Sequence, residues 1–344
     1  AVHRCVGRGS ASFEAAVSAG LGAGLIGYLI LGMLESSLFY GRGSMTFWFL
    51  AGLILAIEQM RSPVPSFPSE HSRKQGTGPG TIENPEPVRR LLFIRTDRLG
   101  ETLLAVPAAM ALRAASPQAH LTLLVQPALQ PLLAGAPGID EVLAYDDTAP
   151  PQWWRRALRL GRALGPRRFD LVVVANPKKE LHLAVWLAGI PVRVGYGRKW
   201  GGLLTRRVVD RKALGERHEV EYNLDLVQAL VGGALPTPNP QWRLPRFEPE
   251  QREVLQLLEQ HGIRQSDPFL AVHPWTSNPV KRWPAARYRE LVRVMAQRLP
   301  VVLIGGPEER ELVPQVVPAD HPRIIDLVGQ ASLRQLAALL RCAA

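Results

Sequence analysis

The sequence predicts an α/β protein with two consecutive domains, each built on a parallel β-sheet that helices cover. Three observations support this fold class. Short, fully apolar runs recur along residues 88–344, helical patterns of period 3.6 lie between them, and a Pro-rich segment at residues 236–249 divides the series. Apolar strands that alternate with helices indicate parallel sheets with both faces buried. The predicted domains are residues 88–235 and 250–344, joined by a linker at 236–249.

The individual elements follow from these patterns. Apolar runs predict strands at Leu91–Ile94, Leu121–Val125, Leu171–Ala175, Val192–Gly195, Phe269–His273, Val301–Ile304 and Ile324–Val328. Amphipathic patterns predict helices at Thr102–Ala115, Glu219–Val231, Gln251–His261 and Ala285–Arg298. A basic helix over Trp153–Arg168 has one apolar face, which packs on the sheet or lies on an anionic membrane surface.

The first 87 residues have a different character. Residues 15–34 form an uncharged apolar run long enough to span a bilayer, and a second run follows at Met45–Ile57. We therefore expect a membrane helical hairpin within residues 1–61, with both ends cytoplasmic because the arginines and lysines lie mostly outside the turn. Residues 62–87, rich in Pro, Gly and Ser, are predicted to be a flexible linker.

Composition excludes some classes of protein and leaves others open. The 344 residues carry 41 Lys and Arg against 30 Asp and Glu, a formal net charge of +11. This excess suits nucleic acid, an anionic membrane or a phosphorylated substrate. Nucleic acid is the least favoured because no nucleic-acid-binding motif is present. The two cysteines, Cys5 and Cys342, predict neither a disulfide framework nor a zinc site.

The segment Arg90–Arg113, RLLFIRTDRLGETLLAVPAAMALR, is a buried strand, a turn and a helix. It resembles the opening of family-nine glycosyltransferases, which include the ADP-heptose:lipopolysaccharide heptosyltransferases. The resemblance implies that Glu101 is the catalytic base and that Arg98 lies on the acceptor side. The family has Asp where this chain has Glu101, a difference of one methylene. The alternative is a first-turn acid that the helix dipole favours.

The segment Phe169–Tyr196, FDLVVVANPKKELHLAVWLAGIPVRVGY, is also similar to the family. It predicts a strand, a polar turn, a helix and a short strand. The resemblance implies that Lys178, Lys179 and His182 face the acceptor. A solvated basic turn explains the two lysines equally well.

The segment Phe269–Leu291, FLAVHPWTSNPVKRWPAARYREL, matches the family's donor loop, including its Lys-x-Trp-Pro spacing. Hydroxyls, backbone N–H groups and a lysine at a helix start suit a diphosphate. The resemblance implies that Thr276, Ser277 and Lys281 bind the donor phosphates. It also implies that Glu308 or Glu309, in Val301–Val313, accepts hydrogen bonds from ribose.

The resemblance, over roughly residues 88–344, implies the GT-B arrangement of two Rossmann-like domains. It also implies inverting transfer of a sugar from a nucleoside diphosphate, ADP-heptose first, to a lipopolysaccharide core or related glycolipid. No Asp-x-Asp motif occurs, so we expect neither a metal nor another cofactor. The expected location is the cytoplasmic face of a bacterial inner membrane. The donor base, the sugar, the acceptor and the oligomeric state stay open.

Two expectations concern the ends of the chain. The family continues past a helix like LRQLAALLRCAA with an Asp-(Ser/Thr)-Gly-x-x-His loop, so the second domain is expected to be incomplete and this chain inactive. Residues 27–56 resemble the closing helices of O-antigen ligase or polymerase proteins. The alternatives to a transferase are a membrane-anchored module that binds a nucleotide sugar without turnover and a fragment of such a ligase or polymerase.

Overall fold

A computed structural model describes residues 81–82, 88–148, 152–232, 234–235, 244–276, 278–317 and 321–343. The predicted hairpin within residues 1–61, and all of the predicted linker except Thr81–Ile82, lie outside these ranges. No helix in the described ranges is both long enough and apolar enough to cross a bilayer.

The described strands, in chain order, alternate with helices through most of the chain. The strands are β1 Thr81–Ile82, β2 Arg90–Ile94, β3 His120–Val125, β4 Glu141–Ala144, β5 Leu171–Val174, β6 Val192–Tyr196, β7 Arg206–Val208, β8 Val231–Gly232, β9 Leu270–Val272, β10 Val301–Leu303 and β11 Ile324–Asp326. The helices are α1 Leu99–Ala115, α2 Gln130–Leu133, α3 Trp153–Leu164, α4 Lys179–Leu187, α5 Glu219–Gln228, α6 Glu248–Gln260, α7 Ala285–Ala296, α8 Val313–Val316 and α9 Leu333–Cys342.

The predicted first domain, residues 88–235, contains a six-stranded parallel sheet in the order β4-β3-β2-β5-β6-β7. This order reverses between β2 and β5, which makes their carboxyl ends the topological switch point where ligands bind in open α/β sheets. At the opposite edge, Asp170 accepts hydrogen bonds from the backbone N–H groups of Arg89 and Arg90, at 2.7 and 2.8 Å. The carboxylate therefore fixes the register of the two central strands.

Both faces of this sheet are covered. Leu91 and Phe93 of β2 pack with the helices α1 and α5, whereas Leu92 and Ile94 pack with α3 and α4. This alternation explains why β2 reads as one continuous apolar run. The predicted basic helix is confirmed as α3: Ala157, Leu160 and Leu164 are buried, and a single 3₁₀ turn, Gly165–Arg167, follows it.

A buried polar contact joins α3, α4 and the end of β4. The carboxylate of Glu180 accepts hydrogen bonds from Nε and Nη2 of Arg156, at 3.0 and 2.6 Å, and from the hydroxyl of Tyr145. Glu180 is 4% exposed, so its charge is stabilised by these partners and not by water. Burial and the neighbouring carboxylate of Glu180 raise the pKa of Tyr145 far above its ordinary value, so the phenol stays a hydrogen-bond donor.

The predicted second domain, residues 250–344, contains a three-stranded parallel sheet in the order β11-β10-β9. Val302 and Ile325 pack with α6 and α9 on one face, and Val301 and Leu303 pack with α7 and α8 on the other. The strands predicted in both domains are confirmed to within two residues at each end. The predictions omitted β4 and β7, at the two edges of the six-stranded sheet, where side chains are only partly buried.

The structure also differs from the prediction around a short strand pair, and the helices predicted from Thr102 and Gln251 begin three residues earlier, at Leu99 and Glu248. Thr81–Ile82, inside the predicted linker, pairs antiparallel with Val231–Gly232. The predicted helix Glu219–Val231 ends earlier, at Gln228, because Val231 enters this strand pair.

Gly161 allows α3 and α4 to approach closely. A Cβ atom at this position would lie 2.9 Å from the Cβ of Leu187 and 3.1 Å from the carbonyl oxygen of Ala184. We expect Gly161→Ala to lower the free energy of unfolding by about 1–3 kcal/mol, the usual cost of overpacking. Urea unfolding followed by circular dichroism measures it.

The matched control is Gly100→Ala in α1, where an added Cβ meets no atom within 4 Å. This change should leave stability unchanged or raise it by up to about 1 kcal/mol, since Ala favours helix. If both variants were as stable as the wild type, the α3–α4 contact would not be tightly packed.

Candidate functional site

Four turns of the first domain meet at the carboxyl edge of its sheet. Residues 95–98 follow β2, 145–147 follow β4, 176–178 follow β5, and 197–200 follow β6. Parallel strands deliver all of these turns to the same edge, and two of them flank the switch point between β2 and β5. This edge is the candidate functional site of the first domain.

A buried arginine lies at the end of the central strand. Arg95 is 4% exposed, and its Nη1 donates to the carbonyl oxygen of Ala175 at 2.9 Å and to Oδ1 of Asn223 at 3.2 Å. Its Nη2 lies 3.3 Å from Oε1 of Glu219 and 3.1 Å from Oδ2 of Asp97. Two carboxylates therefore compensate this buried charge, and the arginine joins β2 and β5 to the start of α5.

Two aspartates are held by hydrogen bonds at the same edge. Thr96 Oγ1 donates to Oδ2 of Asp147 at 2.6 Å, and Asn176 Nδ2 donates to Oδ1 of Asp97 at 2.9 Å. Lys178 Nζ contacts Asp147 and lies 3.7 Å from Oδ1 of Asp97. Both carboxylates are thus already paired with cations and donors, which favours a structural role for them and places Lys178 at the centre of the site.

Glu101 differs from these two aspartates. It lies in the first turn of α1, half-buried, and among the described residues it has no hydrogen-bond or ion-pair partner. Thr102 beside it is buried, and Arg98, the residue before the helix, is exposed. Of the acids named at this edge, Glu101 is therefore the one whose carboxylate makes no contact with a described residue.

Lys179 and two tryptophans form an aromatic cluster beside this network. The Nζ of Lys179 lies 4.1 Å from the centre of the Trp153 ring, and the Trp153 and Trp200 rings meet edge to face at 5.3 Å. Trp200 is 52% exposed. Lys179 is thus part of an aromatic surface, and its ammonium group is exposed at the same edge as Lys178.

His182 does not lie where the sequence predicted. It is 0% exposed, and its Nδ1 lies 2.9 Å from the carbonyl oxygen of Lys199. Burial lowers the pKa of the ring, so the neutral form is favoured. The prediction that His182 faces an acceptor is corrected: Leu181, His182 and Val185 share the buried face of α4, which the sequence analysis did not separate from its exposed face.

The carboxyl edge of the second sheet brings together His273, Gly306 and Glu309. Oε2 of Glu309 accepts from the backbone N–H of Gly306 at 2.9 Å and lies 3.3 Å from Nε2 of His273. Glu308 is exposed, and its carboxylate folds against Gly306. The structure therefore distinguishes the two glutamates: Glu309 contacts both His273 and the Gly306 backbone, whereas Glu308 is exposed.

Local hydrogen bonds occur in the donor loop, residues 276–281. The hydroxyl oxygen of Thr276 accepts from the N–H of Asn278 at 3.3 Å, and the N–H of Lys281 donates to the carbonyl oxygen of Asn278 at 3.0 Å. Ser277 lies outside the described residues. The predicted phosphate-binding role of all three residues stays a prediction.

Sequence reasoning missed Arg95, Asp97, Asp147, Asn176 and Trp200. Their signal is positional: each follows a strand by a few residues at the edge where ligands bind. The partners cannot be paired from sequence alone, because Arg95 and Asn223 are 128 residues apart.

Known proteins of similar sequence are glycosyltransferases by name. The sequence model described as Glycosyltransferase family 9 (heptosyltransferase) matches residues 157–344, more than half of the chain. A Haemophilus influenzae protein named as a putative glycosyltransferase is 26% identical over 65% of this chain and 66% of its own. The lipopolysaccharide heptosyltransferase 2 of Escherichia coli is 25% identical over 73% of this chain and 74% of its own.

A solved structure shares the fold. The family 9 glycosyl transferase of Veillonella parvula has a TM-score of 0.66 with 23% identity, over 74% of either chain. The chain spans just under two thirds of the Haemophilus relative. The resemblance of residues 27–56 to O-antigen ligase or polymerase proteins gains no support from these comparisons.

The buried ring of His182 predicts a pH dependence of stability. In the unfolded chain a histidine has a pKa of about 6.5, and burial lowers that pKa in the folded protein. As the pH falls below about 6.5, the unfolded state binds a proton that the folded state does not bind, so the free energy of unfolding decreases. Urea unfolding between pH 8 and pH 5 should show a smaller loss for His182→Gln than for the wild type.

The control is His261→Gln, since the exposed His261 also has its Nδ1 near a backbone carbonyl oxygen, that of Leu257, at 2.8 Å. This variant should keep the pH dependence of the wild type. Equal curves for all three proteins would contradict the assignment of His182 as a neutral buried ring.

Proposed function

The chain belongs to glycosyltransferase family 9, and from that premise we propose that it transfers a heptose-like sugar from a nucleoside diphosphate, ADP-heptose first. The proposed acceptor is a hydroxyl group of a lipopolysaccharide core or related glycolipid. The observation that carries the proposal is the carboxyl edge of the first sheet, where Glu101 has no partner among the described residues while Asp97 and Asp147 are paired. A catalytic base needs that freedom to reach a substrate hydroxyl.

In the proposed reaction, Glu101 takes the proton of the acceptor hydroxyl as its oxygen attacks the anomeric carbon. The bond between that carbon and the diphosphate oxygen breaks, and the anomeric configuration inverts. Negative charge grows on the departing diphosphate, and Lys281, Thr276 and Ser277 would stabilise it. Such electrostatic stabilisation is usually the largest catalytic contribution. Glu308, exposed at the second sheet, is the proposed ribose acceptor in preference to Glu309, which is hydrogen-bonded to Gly306.

The proposed acceptor is anionic, and three observations support this. The name of the Escherichia coli relative specifies lipopolysaccharide. The cations Arg98, Lys178 and Lys179 lie at the same edge as Glu101, and the net charge of the chain is +11. Since such an acceptor is lipid-linked, we also propose that the chain acts at the cytoplasmic face of the inner membrane. The apolar run at residues 15–34 supports that location.

The first test replaces the proposed base. Glu101→Gln should lower kcat by at least a hundredfold and leave the affinity for the donor nearly unchanged, because the carboxylate acts on the hydroxyl proton and not on donor binding. The assay measures ADP release and the glycosylated product by mass spectrometry. The matched control is Glu248→Gln, an exposed first-turn acid of α6. If Glu101→Gln retained activity within a few-fold, Glu101 would be a structural helix-start residue.

The second test concerns the diphosphate. Lys281→Ala should weaken the binding of ADP at least tenfold and also slow transfer, because the lysine would meet charge that is present in the ground state and increases in the transition state. Calorimetric titration with ADP measures the affinity. Arg287→Ala, which removes an exposed cation of α7, is the control and should bind ADP like the wild type. Unchanged affinity in Lys281→Ala would remove this lysine from the phosphate site.

A further inference from the structure

A strained turn presents Trp200 to solvent. Lys199 and Trp200 have φ angles of 46° and 69°, in the left-handed region. This conformation costs non-glycine residues on the order of 1–3 kcal/mol each, and such strain tends to persist at ligand sites. Glycines stand on both sides of the strained pair, at positions 197 and 201, yet the strained positions themselves carry Lys and Trp. A glycine would relieve the strain at position 200 but would remove the indole side chain, so we infer that the side chain is what this position requires.

The buried ring of His182 contacts the backbone of this turn. Its Nδ1 lies 2.9 Å from the carbonyl oxygen of Lys199, consistent with an N–H donor on that nitrogen. Its Nε2 is buried and has no hydrogen-bond partner within the described part of the chain, which is unfavourable for the core. Gly201 and Leu204, next along the turn, are also buried. A buried polar ring that contacts the backbone of a strained turn acts as a positioning residue for that turn.

The exposed side of the turn is aromatic and basic. Trp153 supports Trp200 edge to face at 5.3 Å, and the Nζ of Lys179 caps Trp153 at 4.1 Å. Arg198 and Lys199 are exposed, and Arg198 pairs with Asp210 at 2.8 Å. The neighbouring acid Asp147 is already neutralised by Lys178. We call Trp153, Lys179, Lys199 and Trp200 the aromatic wall; it carries two lysines and no acid.

We propose that the aromatic wall is the acceptor subsite, in which a ring of a negatively charged saccharide stacks on Trp200 while the lysines bind its phosphate or carboxylate group. An indole face offers a large apolar surface to the C–H face of a sugar, at little cost in side-chain entropy. The wall lies at the carboxyl edge that also carries Glu101 and Lys178. The inference rests on the proposed function and deepens it by naming where the acceptor binds.

The experiment measures acceptor binding without donor. The probe is a delipidated, phosphorylated lipopolysaccharide core oligosaccharide, titrated calorimetrically into the full chain. Trp200→Ala should weaken its binding at least tenfold, whereas Trp200→Phe should stay within about threefold because a ring remains. The matched control is Trp186→Ala, a 49% exposed tryptophan on α4 outside the wall, which should bind like the wild type. The dephosphorylated oligosaccharide should bind more weakly than the phosphorylated one.

The role of His182 has its own measurement. His182→Leu should raise the KM for the acceptor several-fold and leave the KM for the donor and kcat unchanged. His182→Gln should recover much of the loss, because its amide can donate to the same carbonyl oxygen. His182 would instead have a purely structural role if His182→Leu raised both KM values and lowered kcat to a similar degree, and if His182→Gln recovered none of these changes. That result would overturn this part of the proposal.

Other outcomes separate the wall from the proposed function. If Trp200→Ala binds the oligosaccharide as the wild type does, or if the wild type does not bind it, the wall is not the acceptor subsite. A second outcome is that Trp186→Ala and Trp200→Ala weaken binding to vesicles rich in phosphatidylglycerol equally, while Trp200→Ala leaves oligosaccharide binding unchanged. The surface is then a membrane contact, and the proposal fails. If oligosaccharide binding depends on Trp200 but no nucleotide sugar is turned over, the subsite stands and the proposed transferase function falls.

Discussion

The pairing of the Arg95 charge inside the first domain is the interaction on which the candidate site depends. A buried guanidinium is unfavourable unless ion pairs and hydrogen bonds compensate it. Here Asp97 and Glu219 supply charge, and Ala175 and Asn223 supply hydrogen-bond acceptors. The contacts of the two terminal nitrogens of this side chain therefore connect the turn after β2, the end of β5 and the start of α5. The turn after β2 leads directly into α1, so the position of Glu101 follows from that pairing.

The polar groups gather at one edge because the sheet is parallel and doubly wound. Both faces of the sheet are apolar and covered, so polar side chains can reach solvent only where strands end. At the amino edge Asp170 satisfies backbone N–H groups. At the carboxyl edge Thr96, Asn176 and Lys178 bind the two aspartates. The parallel arrangement therefore places polar side chains together at the carboxyl edge, where they can contact a ligand.

How much of this could be predicted from sequence depended on whether a signal is local. The run Leu91–Ile94 is apolar throughout and predicted β2 directly, whereas Glu141–Ala144 and Arg206–Val208 are half-buried edge strands without a clear period. Glu101 could be predicted because its motif lies within one strand–turn–helix. The partners of Arg95 could not, because Glu219 and Asn223 follow it by 124 and 128 residues. His182 was misplaced because a polar residue on the buried face of a helix looks like a surface residue in sequence.

The contacts of Glu101 and of the two aspartates suit them to different roles. Asp97 and Asp147 each contact a cation and a neutral donor, and proton uptake by either would disturb the contacts that hold the edge together. A base must change its protonation state in every turnover, so a residue whose pairing maintains the fold is poorly suited to that role. Glu101 makes no such contact with a described residue, so its proposed use as a base would leave the edge intact. Its side chain is one methylene longer than that of an aspartate and lies at the start of a helix that directly follows the turn held by Arg95, so the backbone is fixed while the carboxylate is left without a described partner.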